Sequence, residues 1–169
     1  MMLKIEEAIA RRDIPALRRL VFEEDGAVDL LIALQYQYFL SMPFEKLNPA
    51  QRLFSLCMRL EDSCQADSIL SLTEEKEDFL RLPQMYKAYL EMGAPKTAQA
   101  IRRMIGLMPE RTFEDGIVPE WEWFFADPER EKQIKAIDNE IAGYPDGVMH
   151  ELYKSYLQRE NVLEKLMEL

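Results

Sequence analysis

An all-α fold is predicted for this chain: a single-domain irregular multi-helix bundle, residues 1–169, around a central buried helix at about residues 27–42. Three observations predict it. Leu30 to Phe44, reading LLIALQYQYFLSMPF, carries no formal charge in a chain that is 31% charged. Apolar residues recur at helical spacing through most of the remaining segments. The one alternating segment, Glu120-Trp121-Glu122-Trp123, finds no partner strand anywhere. A length of 169 residues with 48% hydrophobic content suffices for one domain with a substantial core.

The elements follow in order. Leu3 to Arg12 reads as a short amphipathic helix with Leu3, Ile5, Ala8 and Ile9 inward. Asp13 and Pro15 restart the chain as a second short helix to Phe22. Gly26 punctuates before the central helix. From Ala27 to Met42 the polar residues are Asp29, Gln35, Gln37 and Ser41, and a helix apolar nearly all round is buried. Its glutamines and the Tyr36 and Tyr38 hydroxyls then need hydrogen-bond partners. The run is too short and too rich in Gln and Tyr to span a membrane, which takes about 20 apolar residues. Pro43 ends it.

Asn48-Pro49-Ala50-Gln51 is a helix start: Asn caps, Pro takes the first helical position, and Gln reaches back as in a capping box. Leu53, Leu56, Cys57, Leu60 and Cys64 continue it. Asp67 is expected to cap a further turn and Thr73 to cap TEEKEDFL. Pro83 opens a helix with Met85, Tyr86, Tyr89 and Leu90 inward, ended by Gly93 in the left-handed conformation. Pro95 opens the next, with Ala98, Ile101, Met104, Ile105 and Met108 inward, stopped by Pro109. Glu110 to Ala126 reads as a loop containing one helical turn. Asp127-Pro128 starts a helix with Ile134, Ile137 and Ile141 inward, ending at Gly143. Asp146 is expected to cap the last helix, whose stripe is Met149, Leu152, Tyr153, Tyr156 and Leu163. No repeat period is present, so a solenoid is not supported.

Composition narrows function. Two cysteines are too few for a disulfide scaffold. Cys57 and Cys64 lie seven apart on one helix, about 10 Å along its axis, too far for a mutual bridge. A reduced, cytoplasmic home is expected, and the N-terminus MMLKIEEAIARRD lacks the apolar core of a secretory signal. The net charge of −10 argues against direct nucleic-acid binding, which needs a basic surface, and permits basic partners. The one basic cluster, Arg11, Arg12, Arg18 and Arg19, is expected to pair with acids elsewhere.

Catalytic and metal motifs are missing. The single histidine, His150, stands four residues after Asp146 and is read as a surface pair. No serine or cysteine has a sequence-local base. The Glu with Glu-x-x-His pattern of helical di-metal sites does not occur, nor does a Gly-rich phosphate loop. No metal or cofactor is expected, and the chemistry points away from an enzyme.

The excess acid is concentrated. Glu61 to Asp78 has seven acids against Lys76 alone. Glu110 to Glu140 has ten against Arg111, Arg130, Lys132 and Lys135. In the second segment the acids interleave with Phe113, Trp121, Trp123, Phe124 and Phe125. Aromatics supply interface anchors while carboxylates steer a basic partner. Against this stands the reading that both tryptophans lie in the core and the acids only solvate the exterior.

The block Leu47 to Pro109 resembles the bacterial DNA-mimic protein family, also known as an all-helical domain of unknown function. The residues that carry the resemblance are Leu47-Asn48-Pro49-Ala50-Gln51-Arg52, Leu60-Glu61, and above all Leu90-Glu91-Met92-Gly93-Ala94 leading into Thr97-Ala98. Ile137-Asp138 through Tyr153 and Tyr156-Leu157 is similar in rhythm. The chain departs from the family's Asn/Gly-Gly-Phe segment: Gln65-Ala66-Asp67-Ser68-Ile69-Leu70 has no glycine, so its turn must be built differently. The resemblance implies a non-enzymatic protein whose surface carboxylates imitate duplex phosphates and occupy the groove of a basic DNA-binding protein.

The residues expected to carry such binding are Glu110, Glu114, Asp115, Glu120, Glu122, Asp127, Glu129 and Glu131, with Glu74, Glu75, Glu77 and Asp78 second. An alternative from another class is a small-molecule-binding or enzymatic helical domain using Tyr36, Tyr38, Tyr86, Tyr89 or His150 around an internal pocket.

Overall fold

A computed structural model describes residues 1–169. It contains no strand. The α-helices in order are α1 (Met2–Ala10), α2 (Ile14–Phe22), α3 (Ala27–Leu34), α4 (Pro49–Ala66), α5 (Lys76–Leu80), α6 (Leu82–Met92), α7 (Pro95–Leu107), α8 (Thr112–Asp115), α9 (Trp121–Phe125), α10 (Pro128–Ala142), α11 (Met149–Leu157) and α12 (Val162–Leu166). Short 3₁₀ segments cover Phe44–Lys46 and Ile69–Glu74. The chain is therefore all-α. It gathers into two compact units, one of Met1–Ser55 with Val148–Leu169 and one of Leu56–Gly147. The division falls inside α4, which supplies residues to both.

In the first unit α3 packs against α1, α2 and α11. Its Leu30, Leu31 and Leu34 are fully buried, as are Ile5 of α1 and Leu17 and Val21 of α2. Burying each such side chain contributes about 1.5–3 kcal/mol. Gly26 lets α3 approach this closely: a Cβ there would stand 2.8 Å from the Leu20 carbonyl oxygen and 2.9 Å from Ile5 Cδ1. Phe54 is enclosed by the rings of Tyr153 and Tyr156, with centroids 5.8 and 5.6 Å away.

The central helix is shorter than its sequence implies. After Leu34 the ladder widens into one π-type turn, Gln35–Phe39, in which Leu40 N–H donates to Gln35 O at 3.0 Å. Phe39 stays buried, while Tyr36 is 64% exposed and Leu40 47% exposed. Leu3 also points out, 70% exposed, because it lies about 200° round the helix from Ile5, opposite the Ile5–Ala8–Ile9 stripe.

The start of α4 is the expected capping box. Gln51 N–H donates to Asn48 Oδ1 at 3.0 Å, and Asn48 N–H donates to Gln51 Oε1 at 2.9 Å. The Asn48 amide also reaches Lys165 O at 2.7 Å, which ties this start to the end of α12. The basic cluster is paired as expected in part: Arg18 meets Glu164 and Arg19 meets Glu24.

In the second unit α6 and α7 form a helical hairpin, and α10 packs on α7. Gly93 (φ +90°) makes the step between α6 and α7. Its N–H donates to Leu90 O and the Ala94 N–H to Tyr89 O, closing orphan carbonyls at the end of α6. Tyr89 is buried, and its hydroxyl donates to Cys57 O at 2.9 Å. Cys57 and Cys64 are both free and buried. Burial pushes the Cys64 thiol up to about 12, so it stays protonated and unreactive at neutral pH.

The glycine-free turn after α4 is made by a side chain. Asp138 of α10 accepts from Ile69 N–H at 2.8 Å and from the Ser68 hydroxyl at 2.7 Å. Ser68, not Asp67, caps the turn that follows, accepting from Leu70 N–H. Thr73 lies within that 3₁₀ segment and donates to Leu70 O, so α5 begins two residues later than expected, at Lys76. Asp146 does not cap the last helix either. Its carboxylate accepts from Lys96 N–H and Thr97 N–H, at 3.0 and 2.7 Å, and so caps α7. The last helix is broken at Asn161 (φ +59°) into α11 and α12.

Candidate partner-binding face

Residues 110–131 form two short helices and the start of a longer one. Arg111 adopts a left-handed conformation (φ +70°) just before α8, and α8 ends at Gly116. The stretch Ile117–Glu120 runs without helix to α9. Asp127 caps α10 through Glu129 N–H at 2.9 Å and Arg130 N–H at 3.4 Å. The alternating Glu-Trp-Glu-Trp segment falls at the start of α9, where the helical turn separates its members. Phe124 is fully buried, whereas Trp121 is 51% and Phe125 39% exposed. One tryptophan is thus a surface residue. Trp123 is half-buried beneath Arg130, whose guanidinium carbon stands 3.6 Å from the ring centroid. That contact contributes about 0.5–2 kcal/mol.

The aromatic cluster joins the two acidic segments. Phe79 of α5 is fully buried and lies against Phe113 (6.3 Å) and Phe124 (5.9 Å). Phe124 in turn meets Trp121 and Trp123 at 6.4 and 5.4 Å. Glu74, Glu75, Glu77 and Asp78 immediately precede Phe79, so the same ring cluster anchors both groups of acids.

Their side chains are used differently. Glu110, Glu120, Glu122, Glu74 and Glu75 are exposed and carry no ion pair or side-chain hydrogen bond. Glu114 and Asp115 are exposed but meet Arg111, at 3.5 and 2.8 Å. Glu129 accepts from Gln133, and Glu131 pairs with Lys135. Asp127 is committed to its cap. Glu77 pairs with Arg81. Asp78 is 7% exposed and held between Arg59 and Arg81, so its carboxylate faces inward. It ties α5 to Arg59 of α4 and to Arg81.

Between α8 and α9 lies an open cleft of about 330 Å³ lined by Pro109, Glu110, Arg111, Thr112, Asp115, Ile117, Pro119, Glu120 and Trp123. Sequence reasoning placed the acids in a loop and missed the cleft. The available signal was Ile117-Val118-Pro119, an apolar stretch between two short helices with no helical register to bury it. Ile117 is 64% exposed.

The tyrosines of the alternative reading are scattered. Tyr36 and Tyr38, with His150, belong to the first unit, and Tyr86 and Tyr89 to the second. None lines the cleft. His150 contacts Glu151 at 3.0 Å, its neighbour in sequence, and not Asp146. No group of three His, Cys, Asp or Glu side chains could hold a metal ion, and no helix is long and apolar enough to cross a membrane.

The charge is as unevenly spread in space as in sequence. Leu56–Gly147 holds nineteen acids against eleven bases, a net of −8 out of −10. Searches of curated proteins and of solved structures returned no match. A model of the DMP19-like protein family matches residues 45–160, which includes α4 and every element of the acidic second unit. The chain belongs to the DMP19-like family of DNA-mimic proteins.

Proposed function

We propose that this chain is a non-enzymatic DNA mimic that binds a basic DNA-binding protein through the carboxylates anchored on the Phe79–Phe124–Trp121 cluster. The observation that carries the reading is the set of exposed, unengaged carboxylates Glu110, Glu120, Glu122, Glu74 and Glu75 on segments joined by one ring cluster, in which Trp121 and Phe125 are exposed. Carboxylates with no internal partner have no ion pair to break on binding. They are free to accept from arginines and lysines spaced for phosphates. The exposed aromatics supply apolar contact that charge alone does not.

The test is a quadruple reversal, Glu110→Lys, Glu120→Lys, Glu122→Lys and Glu129→Lys, in a chain used to capture partners from the source lysate. The native chain should retain a basic DNA-binding protein that elutes as salt rises. The reversed chain should lose it by at least tenfold while keeping its helical circular dichroism. Undiminished capture by the reversed chain removes this face from the account.

A further inference from the structure

The cleft between α8 and α9 differs from the open acidic surface around it. Its walls include Pro109, Ile117, Pro119 and Trp123, which are apolar, and Glu110, Asp115 and Glu120, which are acidic. Arg111 is the single cation in the lining, and its guanidinium is already taken by Asp115 and Glu114. Glu110 and Glu120 are left unneutralised at the edge of a recess. Its volume of about 330 Å³ sits at the low end of ligand pockets, which run from roughly 300 to 1,000 Å³. That is ample room for one long side chain and too little for a helix. Three carboxylates against one occupied guanidinium exclude an anionic occupant and favour a cation with an apolar stem.

We infer that this cleft receives a single arginine side chain of the basic partner, its methylene stem against Ile117, Pro119 and Trp123 and its guanidinium between Glu110 and Glu120. This rests on the acidic-face reading above and adds to it an anchor that phosphate-like charge does not provide. Arginine suits the recess better than lysine. Its planar guanidinium offers several donors at once to separate carboxylates and packs on aromatic rings. Arg130 on Trp123 shows that this ring already takes a guanidinium within the molecule.

The test uses capped Gly-Arg-Gly, Gly-Lys-Gly and Gly-citrulline-Gly peptides at millimolar concentration and low salt. Amide and indole NMR shifts are read on the full chain carrying Trp121→Phe, which leaves Trp123 as the one indole. The arginine peptide should give saturable shifts centred on Ile117 and the Trp123 indole. The citrulline peptide, matched in shape but uncharged, should bind at least tenfold more weakly, and the lysine peptide should fall between. Ile117→Trp fills the mouth of the cleft from an exposed position without changing charge, and should abolish the saturable shifts. Glu110→Gln with Glu120→Gln should weaken them at least tenfold. Equal binding of arginine and citrulline peptides, shifts spread evenly over all surface acids, or binding undiminished by Ile117→Trp would each overturn the inference.

The two readings fail separately. If Ile117→Trp still captures the DNA-binding protein at full strength, the anchor falls and the mimic stands. If the native chain binds the arginine peptide in the cleft yet captures no DNA-binding protein, the mimic falls and the arginine site stands.

Discussion

Asp78 lies between the guanidiniums of Arg59 and Arg81, with its side chain 10% exposed against 22% and 13% for theirs. Removing it would take a shared carboxylate from two guanidiniums in a poorly hydrated site. Breaking a buried ion pair costs about 3–5 kcal/mol. Water reaches Arg59, so Asp78→Ala is expected to destabilise the chain by about 2–3 kcal/mol in urea unfolding. A loss below about 0.5 kcal/mol would show that the pairing is decorative. By contrast Glu75→Ala, three residues away and unpaired, should leave stability within about 0.5 kcal/mol. Nothing in the string TEEKEDFL separates these two acids. Burial of Asp78 follows from where Arg59 of α4 and Arg81 stand, and that is tertiary information. The same holds for Trp121 and Trp123, which share spacing and neighbours in sequence but not exposure.

At the scale of elements, the helices with capping residues or an opening proline were legible, since those signals act within four residues. The Asn48–Gln51 box, the Asp127 cap and the Gly93 step belong here. The misplaced signals were carboxylates that bond across the chain. Asp146 stands beside α11 in sequence yet caps α7, accepting from the N–H groups of Lys96 and Thr97 and from the Thr97 hydroxyl. Asp146→Ala should therefore cost about 0.5–2 kcal/mol, the range for losing an N-cap. Amide exchange should speed up at the first turn of α7 and not at α11; the opposite pattern would contradict the assignment.

Asp138 bridges in the same way, and its titration gives a second check. Burial raises its carboxyl above the usual 3.8, offset in part by the Ile69 N–H and the Ser68 hydroxyl, with Asp67 adding to the rise. A folded-state value above the unfolded one means that the protonated form is favoured on folding. The resulting stability is present below 3.8 and lost as pH rises through the higher folded value. Asp138→Asn keeps an acceptor for Ile69 and cannot ionise. Lowering the pH from 7 to 4 should thus shift the stability difference toward the native chain. A difference constant with pH would show that burial is not what governs this carboxyl.

At the scale of the molecule, the all-α class followed from helical spacing and the absence of any paired strand. The two-unit arrangement did not, because its division falls inside α4, where no linker composition marks it. The acidic segments were visible as charge counts, and their shared aromatic anchor was not. Phe79 and Phe124 are 45 positions apart in sequence, and only folding places their rings 5.9 Å from each other. A net of −8 on residues 56–147 is a field that draws basic proteins at long range and weakens with salt. Attraction of that kind is general. Mimicry is narrower, since it requires that the chain and duplex DNA occupy one site on the partner.

Competition at that site is the most direct measurement. The captured DNA-binding protein, bound to a fluorescent duplex carrying its own recognition sequence, would be titrated with the native chain and with the quadruple lysine variant. The account predicts that the native chain releases the duplex stoichiometrically and that the variant does not. A ternary complex in which the protein holds chain and duplex together would contradict it.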